Sequence, residues 1–161
     1  MYNFFNSNEA DMIEAPVDGI GGIHLGNWKA AKDVEYLKKH NITHMVSAIP
    51  AYLANFEELE GLNIEQKVID SQDNPSFNLY VHLDIAADFI KEAVSKGNVL
   101  IHCAAGISRS STCLISYYIK YRNMTTENAL KLLREKRPIA SPNTGFTKQL
   151  KRYEDEVNNN N

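Results

Sequence analysis

A single α/β domain, with a central, mostly parallel sheet of about five strands flanked by helices, is what this sequence predicts. Three observations carry that expectation. Short β-rich runs alternate with stretches of helical periodicity, most of the helix lies toward the C-terminus, and Val99-Leu100-Ile101 is a short, continuous apolar strand of the kind covered on both faces. At 161 residues, 43% hydrophobic and 23% charged, the chain suits one domain that holds its core without staples.

Along the chain, Ile20-Gly21-Gly22-Ile23-His24-Leu25-Gly26 reads as short strands broken by glycine, followed by a helix capped by Asn27 and running to about His40. Ile42 to Ile49 is β-rich and Pro50 closes it, while Ile64 to Ile69 alternates as a further strand. Asp70 to Ser76 has the Asp, Asn, Pro and Ser content of a loop. Leu79, Leu83, Ala86, Ile90 and Ala93 then recur at helical spacing until Gly97. After the apolar strand, helical text spans Arg109 to Arg122, with Tyr117, Tyr118 and Tyr121 read as packing. Thr125 caps a helix through Arg134, and Phe146, Leu150, Tyr153 and Val157 share one face of the last helix. Residues 1–15 are expected to be a polar, partly flexible lead, 16–157 the domain, and 158–161 a disordered Asn tail.

Composition excludes several function classes. Seventeen basic against 20 acidic residues, net −3, argue against a surface built for nucleic acid or acidic lipid. Only Cys103 and Cys113 are present, which excludes a disulfide framework and favours a reducing compartment. No run approaches the ~18 apolar residues of a spanning helix, the N-terminus lacks the basic flank of a signal peptide, and Tyr2 stands where N-myristoylation needs glycine. The reading is a soluble cytoplasmic protein with access to the nucleus and no membrane partner. His24, His40, His44, His82 and His102 show no ligand spacing, so neither metal nor cofactor is expected. Glu57-Glu58-Leu59-Glu60 reads as a solvated surface.

The informative segment is His102-Cys103-Ala104-Ala105-Gly106-Ile107-Ser108-Arg109-Ser110, set between a buried strand and a helix. Strand, tight loop, helix is a context in which backbone N–H groups of residues 104–108 curl around a tetrahedral anion, helped by the positive end of the following helix. Gly106 permits backbone angles that side chains forbid. Arg109 can return its planar fork over the same centre. Cys103 would hold its sulfur below these donors, which favour thiolate over thiol. Nucleophile and anion site are then one device. His102 should alternate away from Cys103 along the strand, behind the loop. Cys113, one turn beyond Arg109, reads as core packing.

Histidine, cysteine, two residues, glycine, two residues, arginine and serine resemble the signature of the cysteine-dependent protein tyrosine phosphatases, and the neutral filling resembles that of the small dual-specificity phosphatases. The resemblance runs from about Gly22 to Tyr153, including Ile42-Thr43-His44-Met45-Val46, Ser141-Pro142-Asn143-Thr144-Gly145-Phe146 and Gln149-Leu150. It implies that Cys103 attacks phosphorus and that water hydrolyses the resulting phosphocysteine. It implies a general acid on an upstream loop. Asp73, four residues before Phe77, matches that position, and Asp70 in the same loop is its rival. Ser110 would donate a hydrogen bond to the departing thiolate, and Asn143 would brace the signature loop. Two departures, His24 where a larger apolar residue is usual and Ser47 where asparagine is common, touch packing rather than chemistry.

Hydrolysis of phosphotyrosine and phosphoserine or phosphothreonine in proteins, protein kinases among them, is the function the resemblance implies. The signature has no cation before Arg109, which disfavours inositol lipids, and no docking module or basic arm accompanies it, so a bare catalytic domain is expected. Two other readings stay open: a silent phosphoprotein-binding module, and a phosphatase acting on lipid or glycan phosphates. Oligomeric state is open as well.

Overall fold

In the computed structural model, which describes residues 7–160, five strands form one sheet. They are β1 (Ala10–Glu14), β2 (Ile23–Gly26), β3 (Ile42–Ser47), β4 (Glu65–Val68) and β5 (Asn98–His102), in spatial order β1-β2-β5-β3-β4. All neighbours are parallel except β1 and β2, which are antiparallel. The described residues also form six α-helices: α1 (Trp28–Ala31), α2 (Val34–Lys39), α3 (Leu83–Lys96), α4 (Arg109–Arg122), α5 (Thr126–Lys136) and α6 (Thr144–Asn159).

Alternation along the central strand divides the core in two. Val99 and Ile101 of β5 join the larger cluster with Leu83 and Ile90 of α3, Leu114 of α4 and Phe146 and Leu150 of α6. Leu100, between them, joins Ala30, Ala31, Leu37 and Met45 on the opposite face under α1 and α2. Each fully buried aliphatic side chain contributes about 1.5–3 kcal/mol. The middle of this arrangement is α4, buried continuously from Arg109 to Ile119. Two of its small polar residues are accommodated because they bond their own helix: Thr112 Oγ1 donates to the Ser108 carbonyl at 2.7 Å and Ser116 Oγ to that of Cys113 at 2.6 Å. Cys113 is fully buried, and burial pushes its thiol up to about 12, which suits packing rather than reactivity.

Three local features differ from the sequence reading. The helix expected from Asn27 to His40 is two short helices, because Asp33 leaves helical geometry and its carboxylate accepts the Tyr36 N–H at 3.1 Å, capping α2 anew. The Asn tail continues α6 through Asn159, with the Asn160 N–H bonded to the Glu156 carbonyl; Asn161 lies outside the described residues. The lead contains β1, although Met1–Asn6 lie outside the described residues. Its polar residues act as anchors rather than solvated charges: Glu14 accepts the Tyr118 hydroxyl at 2.7 Å and two N–H groups of Arg122 at 3.1 and 3.0 Å, while Ile13 enters the core.

None of the described helices is long and apolar enough to cross a membrane. Glu14→Ala would leave the buried Tyr118 hydroxyl without its acceptor, and urea unfolding is expected to show a loss of about 1–3 kcal/mol. Unchanged stability would mean that β1 is held by its ladder alone.

Candidate active site

The loop from Cys103 to Ser108 leaves β5 and enters α4 under constraint from three sides. The Ala104 carbonyl accepts the N–H of Trp28 at 3.2 Å, the Gly106 carbonyl accepts Arg137 Nε at 2.9 Å, and the Ile107 carbonyl accepts the N–H of Ser141 at 2.8 Å. Every peptide bond among the described residues is trans, so a carbonyl held outward turns the next residue's N–H the other way. The N–H groups of Ala105, Ile107 and Ser108 are thereby aimed into the loop. Those of Arg109 to Ser111 begin α4 ahead of its hydrogen-bond ladder. Together they make a concave set of donors of the kind that binds a tetrahedral anion. Gly106 sits at φ +68°, and a Cβ there would lie 2.6 Å from Arg137 Nη2 and 2.7 Å from the Gly26 backbone, so only glycine fits.

Cys103 is buried at the floor of this loop, and Ser110 Oγ lies 3.1 Å from its sulfur. A thiolate can only accept, so in that form the serine hydroxyl is the donor. Arg109 is buried at the start of α4, and its Nη1 donates to the Ser71 carbonyl at 3.0 Å. Its Nε is buried with no hydrogen-bond partner among the described residues, leaving a charged donor for an anion to satisfy.

Ser71 belongs to the Asp70–Ser76 loop, so Arg109 ties that loop to the anion cradle. The exposed Asp73 accepts Asn143 Nδ2 at 2.9 Å. Asn143 is also the N-cap of α6, its Oδ1 accepting the Phe146 N–H, and its backbone N–H donates to Ser108 Oγ at 2.9 Å. Asn143 thus touches the signature loop through its backbone N–H, while its side chain reaches Asp73. Gly145 lets the loop approach α6: a Cβ there would meet the Pro75 carbonyl oxygen at 1.8 Å. Asp70 is turned elsewhere, accepting the Ala51 N–H at 2.9 Å. The structure thus brings Cys103, Arg109, Ser110, Asn143 and Asp73 into one connected set and leaves Asp70 bonded to a neighbouring turn.

The model for the dual specificity phosphatase catalytic domain matches residues 23–156. The chain belongs to this family. Among curated relatives, cattle (Bos taurus) dual specificity protein phosphatase 26 is 37% identical over 132 residues, covering 80% of this chain and 62% of that protein. The Dictyostelium discoideum MAP kinase phosphatase with leucine-rich repeats protein 3 is 38% identical over 143 residues, covering 86% of this chain and 16% of that much longer protein. The chain therefore spans less than two thirds of the length of either. Among solved structures, that of human tyrosine phosphatase-like serine/threonine/tyrosine-interacting protein superposes with a TM-score of 0.80 at 30% identity, covering 91% of this chain and 96% of that one.

Two features of this dual specificity phosphatase domain bear on how the signature loop is held. His102 is buried behind the loop, Nε2 2.7 Å from Ser47 Oγ and Nδ1 3.2 Å from the Cys103 carbonyl; Ser47 in turn accepts Gln66 Nε2 at 2.8 Å. A neutral imidazole protonated on Nδ1 satisfies this whole line. Burial, aided by Arg109, holds His102 down at about 4. Arg137 escaped the sequence reading. It is 1% exposed, and besides the Gly106 carbonyl it bonds Asp11 Oδ2 and the Asn8 carbonyl, each at 2.8 Å. Only its position, between a helix end and a proline, marks it in the sequence. Among the described residues no three His, Cys, Asp or Glu side chains form a group able to hold a metal ion.

Asp11→Ala would strand the buried Arg137 cation, at a cost of about 3–5 kcal/mol in chemical unfolding. His24, also buried, is held at about 4 by burial and by His40. Both imidazoles have an ordinary value of 6.5, so the unfolded chain binds more protons between about 4 and 6.5. Stability is complete above that window and drains as pH falls through it. The Tm is expected to drop between pH 7 and pH 4.5, and to drop less in His24→Phe; equal slopes would contradict this assignment.

Proposed function

We propose that the chain is a dual-specificity protein phosphatase that hydrolyses phosphotyrosine and phosphoserine or phosphothreonine in proteins through a phosphocysteine intermediate. The observation that carries the reading is the placement of Cys103 Sγ on the floor of the donor-lined loop, 3.1 Å from Ser110 Oγ. The buried guanidinium of Arg109 starts the helix that follows. The loop N–H groups and Arg109 hold three phosphoryl oxygens, and their combined charge grows more favourable as the transition state forms. The thiolate attacks phosphorus, the bond to the substrate oxygen breaks, and Asp73 passes that oxygen a proton. Water then attacks phosphorus while Asp73 takes up its proton. The S–P bond breaks, and Ser110 donates to the departing thiolate. Asp73 is preferred over Asp70 because Asn143 links it to the cradle, whereas Asp70 bonds Ala51.

Phosphorylated proteins, protein kinases among them, are the substrates this reading names, and the cytoplasm, with access to the nucleus, is its place. The names of the relatives support it, as does the reducing environment that a reactive thiolate needs.

Cys103→Ser is expected to abolish phosphate release from p-nitrophenyl phosphate. Asp73→Asn should lower kcat by about 10²–10³ on a phosphopeptide whose leaving group needs a proton. Turnover surviving the first change would sink the mechanism. A wild type that binds phosphopeptides without releasing phosphate would instead point to a silent recognition module.

A further inference from the structure

Beside the signature loop a groove of about 520 Å³ is lined by Trp28, Ile49, Leu53, Phe56, Glu57 and Ala104. Its walls are mostly apolar, and two are open to solvent: Trp28 is 43% and Leu53 53% exposed. Isolated exposed apolar residues are ordinary, but a concave group of them beside a reactive centre marks a binding surface. The groove starts at the reacting centre, because Ala104 directly follows Cys103 and is exposed.

The walls are fastened to the catalytic parts. Trp28 is bonded through its N–H to the Ala104 carbonyl, the turn carrying Leu53 is tied by the Ala51 N–H to Asp70, and the Ala54 carbonyl accepts Gln66 Nε2 at 3.0 Å. A side chain seated there would therefore be held in fixed register with a phosphoryl group on Cys103. The charges are not balanced. Lys32 lies 4.4 Å above the Trp28 ring and 3.9 Å from Glu58, which engages both. Glu57 is exposed and in no ion pair among the described residues, so one net negative charge faces whatever enters.

We infer that this groove is a substrate subsite: it takes a large apolar side chain one or two residues from the phosphorylated residue, and Glu57 favours a basic residue next to it. The inference rests on the phosphatase reading and names the peptide class for that same site. An extended peptide advances ~3.3–3.6 Å per residue, so one or two residues carry a side chain from the cradle into the adjoining groove.

The test is kcat/KM on phosphotyrosine peptides that differ only at the flanking positions, Leu against Asn and then Arg against Glu, each value divided by that for p-nitrophenyl phosphate. Wild type is expected to favour Leu by about 10-fold or more. It should favour Arg by a few-fold, an effect that fades at high salt. Leu53→Asn should erase the first preference, and Glu57→Lys should reverse the second. Equal turnover of all peptides, or preferences that survive both substitutions, would overturn the subsite while leaving the phosphatase reading intact. Faster turnover of a soluble phosphoinositide than of any peptide would overturn the subsite and the protein-substrate reading together. No release even from p-nitrophenyl phosphate would defeat the phosphatase reading and the subsite with it.

Discussion

Everything at this site depends on which way a few peptide planes face. A loop of six residues has no intrinsic reason to turn its N–H groups inward, where they crowd like partial charges and repel one another. Here the opposite ends of those planes are tied down, at Ala104 by α1, at Gly106 by Arg137 and at Ile107 by Ser141. The anion cradle is built by holding carbonyls outward. The cost of aligning the donors is met during folding, so an anion entering the loop would meet them already oriented.

The second constraint is how the parts of the site share supports. Asn143 caps α6, bonds Ser108 in the cradle and reaches Asp73, while Arg109 reaches the Ser71 carbonyl. Two residues therefore set the spacing between the Cys103 loop and the loop that carries Asp73. This economy follows from the sheet order: β5 is central, and its C-terminal end opens where the loop after β4 and the start of α6 converge. Ligands in open parallel sheets bind at the carboxyl ends of strands for this reason.

What the sequence made readable was what is local in it. The buried strand, the loop and α4 follow one another within about two dozen residues, and their periodicity and residue types mark them without reference to the rest of the chain. The N-caps at Asn27, Thr125 and Asn143 are equally local. What it hid depends on distance. The strand β1 reads as a polar lead because its partners, Arg122 and Arg137, lie more than a hundred residues away. Arg137 looks like any cation at a helix end until Asp11 and Gly106 are seen around it. The split between α1 and α2 hides because Asp33 suits a helix surface and an N-cap alike. Asp70 and Asp73 are two acids in one loop, and only their hydrogen-bond partners tell them apart.

The buried arginine also orders events in time. Arg137 bonds the Gly106 carbonyl and also reaches the Asn8 carbonyl, 129 residues before it in sequence, and Ser141 holds the next carbonyl from further along the chain. Contacts of such separation close late, after most of the loop entropy has been spent. A chain emerging from synthesis contains Cys103 well before the residues that align the donors above it. Through that interval the thiol lacks its finished cradle, which is complete only when both ends of the domain have met.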